Sequence, residues 1–181
     1  MGYVLSNGHV GIYFNDSTKI IYKPMGLNFI YVERKLKDGS TRKGIVGKID
    51  LEAYDWSQNS VSPVRATERT VAERLPARMD IRKRAKLEMP HIMLFIDNPE
   101  DDIIAYRDGY EQIYDFELMQ NGGHIKGYRI TGEYSDKLEK ALESLTLPEK
   151  IKEKYGNDFC GNPVVYAIGD GNHSLAAAKE L

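Results

Sequence analysis

Apolar residues in this chain come in short bursts between glycine, proline and charged residues. The two most continuous are VVYAI at 164–168 and HIMLFI at 91–96. Runs of that length, β-branched or bulky and bounded by turn formers, predict buried strands, and both are expected at the centre of a mixed sheet. The clearest alternation lies at 30–51, where two arms flank Asp38-Gly39, a favoured hairpin turn pair. Earlier, HVGIYF and KIIYKP, punctuated by NDS and KPMG, predict short strands in hairpins. LEAYDWSQNSVSP at 51–63 reads as a loop. Ser62-Pro63 then reads as a cap and first-turn proline, opening a helix through VRATERTVAERL with Val64, Val71 and Leu75 on one face and ended by Pro76. PARMDIRKRAKLE at 76–88 follows as an exposed bend.

The second half repeats the alternation. DIIAYRDG and YEQIYDFEL predict strand and turn, and GGHIKGYRI at 122–130 predicts a glycine turn into a strand. DKLEKALESLTL predicts an amphipathic helix with leucines at 138, 142, 145 and 147, and PEKIKEKYG a short helix from Pro148 to Gly156. The closing stretch, YAIGDGNHSLAAAKEL at 166–181, reads as a strand broken by Gly169 and Gly171, with Asn172 as N-cap and a helix after it. The expected fold class is α+β (mixed α/β), a central mixed sheet with flanking helices. No internal repeat and no low-complexity linker is present.

Charge adds a constraint. The 181 residues hold 25 basic and 27 acidic side chains, a net charge of −2, which points to neither nucleic acid nor an anionic membrane as a general partner. No apolar run approaches the roughly 20 residues of a spanning helix, and no basic segment followed by an apolar stretch opens the chain, so a soluble, cytoplasmic protein is expected. The length suits one domain, or a domain and a small appendage. Cys160, the single cysteine, has no partner for an internal disulfide and reads as a partly buried small side chain. His9, His91, His124 and His173 are scattered without metal-ligand spacing.

Three stretches carry candidate chemistry. In the closing turn, strand, glycines and helix start aim free N–H groups and the positive end of a helix at one point, where an oxyanion is the natural occupant. There His173, Ser174, Asn172 and Gly171 are ligand contacts, and Asp170 is a proton acceptor or a ligand for a divalent ion. In SPVRATERT, Arg65 offers a planar fork for phosphate, with Glu68 one turn away as a second carboxylate. Residues 65–88 hold eight Lys or Arg against four Asp or Glu. In MQNGGHIKGYR, Gly123 and His124, with Lys126 and Arg129, are placed to flank an anion. Each stretch also has a plain reading: turn residues chosen for the backbone, a solvated charged face, and an ordinary hairpin turn.

GIVGKIDLEAYDW, RATERTVAERLPAR, KLEMPHIMLFIDNPE, LMQNGGHIKGYR and AIGDGNHSLAAAKEL, in this order, resemble an uncharacterised bacterial family, the domain-of-unknown-function family ten-fifteen. The resemblance covers roughly residues 30–181 and none of 1–30. It implies an α+β domain over 31–181, truncated at its C-terminal end because members continue past the DGNHS helix. The closing motif is also similar to the signature turn of the ParB and sulfiredoxin-like superfamily, whose members bind nucleotide phosphates and include a free serine kinase. His173 keeps the superfamily's His, while Asn172 stands where sulfiredoxins have Cys and Ser174 where they have Arg. Without that nucleophile sulfiredoxin chemistry is excluded.

The resulting expectation is a domain that binds a nucleotide or other phosphorylated small molecule at the GDGNHS turn. If catalytic, it is a kinase-like phosphotransferase, with Asp170, His173 and Glu68 as catalytic residues and magnesium entering with the nucleotide. The alternative is a non-catalytic ligand-binding or scaffolding module. DNA binding ranks third, because the basic residues of 65–88 are interleaved with acids and lack aromatic platforms.

Overall fold

The computed structural model describes residues 2–4, 10–13, 19–22, 29–47, 49, 51–57, 60–85, 92–98 and 103–181, the first three segments as backbone. The expectations for His9, His91, NDS and KPMG lie outside these residues. In chain order the strands are β1 (Gly2–Val4), β2 (Val10–Tyr13), β3 (Lys19–Tyr22), β4 (Phe29–Lys35), β5 (Thr41–Gly47), β6 (Tyr54–Asp55), β7 (Val64–Ala66), β8 (Met93–Ile96), β9 (Glu111–Leu118), β10 (Gly123–Ile130) and β11 (Tyr166–Asp170). The α-helices are α1 (Leu75–Arg84), α2 (Glu133–Ser144), α3 (Pro148–Tyr155) and α4 (Asn172–Lys179), so the fold is mixed α+β. Two compact units divide the chain: Met1–Lys48 with Asn98–Leu142, and Ile49–Asp97 with Glu143–Leu181.

The first unit holds a three-stranded sheet, β1-β2-β3, and a four-stranded one, β5-β4-β10-β9, both antiparallel. The β4–β5 hairpin closes at Asp38-Gly39 as expected, with Gly39 at φ +84° and the Asp38 carboxylate accepting from the Ser40 N–H (2.9 Å) and hydroxyl (2.6 Å). Alternation gives the larger sheet two apolar faces. Tyr31 and Ile130 pack with Leu138 of α2 on one, while Leu118 and Ile125 pack with Val32, Tyr114 and Phe116 on the other. Residues 103–109 form bends and a turn, not the expected strand.

In the second unit the sheet order is β6-β7-β11-β8, with β6, β7 and β11 parallel and β8 antiparallel. This sheet is mixed and β11 is interior. The strand at 93–96 is not central: among the described strands it ends the sheet, with Met93 57% and Phe95 62% exposed. Its other face, Leu94 with Ile92, packs on the core cluster of Tyr54, Val64, Leu75, Ile168, Leu175, Ala176 and Ala177.

The expected helix at 64–75 is replaced by β7, a bend at residues 67–68 and a short 3-10 turn at Ala72–Arg74. Pro76 begins a helix instead of ending one, standing in the first turn of α1 where its missing N–H costs no bond. Residues 76–88 are therefore not a bend up to Arg84. The helix there buries Leu75 alone, so no apolar period announces it, and it is favoured by Arg82, Lys83 and Arg84 at its C-terminus. Cys160 is exposed, not partly buried. No helix among the described residues is long and apolar enough to cross a membrane.

Candidate functional site

Parallel pairing fixes the site. Val64, Arg65 and Ala66 register with Tyr166, Ala167 and Ile168, so β7 and β11 leave the sheet at the same end, Thr67 beside the glycine turn. Carboxyl ends of parallel strands are where open sheets commonly seat ligands. Gly171 adopts φ +93°, a left-handed conformation suited to glycine, and α4 follows with no side-chain cap. Asn172 is thus the first helical residue, not the N-cap. The first intrahelical bond runs from Leu175 N–H to Gly171 O (2.9 Å), so the N–H groups of Asn172, His173 and Ser174 have no carbonyl inside the helix.

These three residues each dock a different segment. Asn172, 3% exposed, accepts the Thr67 N–H on Oδ1 at 3.1 Å and directs Nδ2 to Thr67 Oγ1 at 3.4 Å. The Thr67 hydroxyl donates to the Ile168 carbonyl, closing a link between the two strand exits. His173 accepts the Val71 N–H on Nε2 at 3.2 Å, which makes that nitrogen the unprotonated one, and its Nδ1 faces Glu68 Oε1 at 3.6 Å. The Ser174 carbonyl accepts from Arg82 Nη1 of α1 at 2.8 Å.

Of the residues singled out in the sequence, Glu68, Gly171, Asn172, His173 and Ser174 gather here, and Asp170 ends β11 beside them, exposed. Arg65 turns the other way, its Nε donating to Ser62 O at 3.0 Å toward the amino end of β7. Gly123 and His124 belong to the other unit. Thr67, Val71 and Arg82 hold the site together and were missed by the sequence reading, which had put Thr67 and Val71 inside a helix and Arg82 in a bend. Among the described residues, no three His, Cys, Asp or Glu side chains are grouped to hold a metal ion.

His124 is occupied by acids of its own hairpin. Its Nδ1 meets Glu117 Oε1 at 2.7 Å and its Nε2 meets Asp115 Oδ1, while Lys126 Nζ lies 3.2 Å from Asp115 Oδ2. Both ring nitrogens can donate only in the imidazolium, and the bonds to Glu117 and then Asp115 raise the His124 pKa above its ordinary value. Asp115 is held below the ordinary carboxylate range, chiefly by the bond from His124. The His124 contribution to stability is therefore present below the ordinary imidazole value and lost as pH rises through the raised one. The Asp115 contribution is present above the ordinary carboxylate value and lost as pH falls through the lowered one. Thermal midpoints measured against pH should fall on both sides of that window. His124→Gln should flatten the alkaline limb, and an unchanged limb would show that the three side chains do not couple.

A family model described as a protein of unknown function, DUF1015, matches residues 17–181, beginning closer to the amino terminus than the roughly 30 read from the motifs. No curated protein and no solved structure matches the chain.

Proposed function

The chain belongs to the DUF1015 family of proteins of unknown function, and from that premise we propose that its closing turn binds the phosphate of a nucleotide or other phosphorylated small molecule. One observation carries the reading. The carboxyl ends of parallel β7 and β11 meet the uncapped start of α4 at Gly171, leaving three helical N–H groups without intrahelical acceptors. The similarity of this strand, glycine turn and helix to the ParB/sulfiredoxin-like signature, with His173 as the second helical residue, supports the same reading and the finer fold assignment that goes with it.

The helix dipole alone contributes about 0.3–1 kcal/mol to an exposed oxyanion, too little for useful affinity. A second cation is needed. Arg65 folds back to Ser62, whereas Arg69 lies in the loop between Glu68, which faces His173, and Val71, which bonds it. Arg69 is exposed and makes no hydrogen bond or ion pair among the described residues. We assign it the charge-assisted contact.

Binding is favoured over phosphoryl transfer by the state of His173. Its Nε2 holds the Val71 N–H and its Nδ1 faces Glu68, so the ring acts as a tether. In calorimetry on the full chain with magnesium and ATP, or with pyrophosphate, Arg69→Ala should weaken binding by about tenfold or more. Lys137→Ala, on α2 and paired with Glu133, should change nothing. Equal affinities for the wild type and both variants would reduce the turn to a structural joint.

A further inference from the structure

Beside the closing turn the second unit carries a depression of about 500 Å³ lined by Trp56, Ser57, Arg69, Thr70, Val71, Ala72 and Glu73. Its floor contains an anomaly. Thr70 is 5% exposed, and its hydroxyl is buried with no hydrogen-bond partner among the described residues. The fully buried Tyr54 hydroxyl is in the same condition. The two hydroxyls are close enough for a weak mutual interaction but fall short of hydrogen-bond geometry, and burial pushes Tyr54 up to about 12, so it stays a neutral donor. Buried hydroxyls without full partners are rare, and each is met by an ordered water or by a group that arrives from outside.

The wall is aromatic. Trp56 packs on the core and donates its indole N–H to Glu180 Oε1 at 3.1 Å, which fixes the plane of the ring. Arg69 and Glu73, both exposed, put one charge of each sign on the rim. Position follows from α4. His173 in the first turn of α4 and Glu180 at its C-cap are seven residues apart, roughly 10 Å along the axis, and they touch Val71 and Trp56 respectively. The depression therefore runs from the phosphate end of the site toward the end of α4, on the scale of one nucleotide.

We infer that this depression is a nucleoside subsite, in which a planar heteroaromatic base stacks on Trp56 and a polar edge or sugar hydroxyl satisfies Thr70. A flat aromatic wall with few polar groups suits a base, because every base has a π-face and an edge of donors and acceptors. The inference rests on the phosphate reading only for the orientation of the ligand.

Trp56 is the sole tryptophan, so its emission reports the subsite directly. Adenosine, guanosine, their monophosphates and inorganic phosphate are titrated separately into the full chain. Nucleosides and nucleotides should quench Trp56 saturably, and inorganic phosphate should not. Thr70→Val keeps the shape and removes the hydroxyl, and it should weaken nucleoside binding about tenfold while leaving phosphate affinity unchanged. Quenching by nucleosides with no phosphate binding at all would uphold the subsite and overturn the phosphate reading. Phosphate binding with no quenching by any nucleoside or nucleotide would overturn the subsite, as would an unchanged nucleoside affinity in Thr70→Val, the result expected if the hydroxyl holds only a buried water.

Discussion

Asn172→Ala is expected to destabilise the second unit by about 2–3 kcal/mol, whatever the turn binds. The side chain is nearly fully buried and supplies the acceptor for the Thr67 N–H across 105 positions of sequence. Its removal loses one hydrogen bond and strands a part-buried donor that can no longer pair, and the second term is the larger. Denaturant unfolding followed through Trp56, which lies in the same unit, should show a lower midpoint at an unchanged slope. Asn172→Asp keeps Oδ1 but turns the Nδ2 donor into an acceptor facing Thr67 Oγ1 and places a carboxylate in a nearly fully buried position, so it should destabilise as well. If both variants unfold like the wild type, the Asn172–Thr67 link does not hold the two strand exits together. A fall in ligand affinity for Asn172→Ala would then be direct evidence of ligand contact.

The closing turn illustrates how much of the site the sequence shows. That a strand, a glycine break and a helix opening at Asn172 follow one another was legible, because an apolar run, a glycine and helix formers are local signals, although the strand expected at 164–168 and broken at Gly169 runs through that glycine, from Tyr166 to Asp170. What the side chains do was not. A free oxyanion hole and a docked joint need the same Asp, Gly and Asn vocabulary, and only the fold reveals that Asn172 and His173 face Thr67 and Val71, about a hundred positions away. The misreading of 64–88 has a similar cause. Ser62-Pro63 is the better helix opening on local chemistry, with a capping hydroxyl that Leu75-Pro76 lacks, yet the second is the one used. Helix α1 has no apolar stripe to choose between them, since it buries only its first residue. The run at 93–96 was recognised as a strand but misplaced in the sheet, because a continuous apolar stretch does not say whether its second face is covered. By contrast, the Asp38-Gly39 hairpin and the helix from Pro148 to Gly156 were predicted closely, their signals being contained within a few residues.

Gly123→Ala should cost the first unit about 2–4 kcal/mol, and the reason decides between two readings of the MQNGGHIKGYR stretch. Gly123 has φ +93°, which an alanine adopts only with strain, and an added Cβ would lie 2.2 Å from the Lys35 carbonyl oxygen on the neighbouring strand. That contact is with backbone, held by the register that sets His124 opposite Lys35, and it cannot be relieved by turning a side chain. Arg34 reinforces the same approach by donating from Nε to Gly122 O at 2.8 Å. Gly39→Ala provides the control. Its φ is +84° with nothing within 4 Å of the added Cβ, so it should show the conformational cost alone, about 1 kcal/mol. Unfolding midpoints by circular dichroism should therefore order wild type, Gly39→Ala and Gly123→Ala, with a gap between the last two that measures the close approach of β10 to β4. Equal losses would mean that the strands yield to admit the methyl group. The expected gap makes Gly123 a packing requirement of the hairpin, sufficient on its own to account for a glycine pair that in sequence alone also read as the bed of an anion.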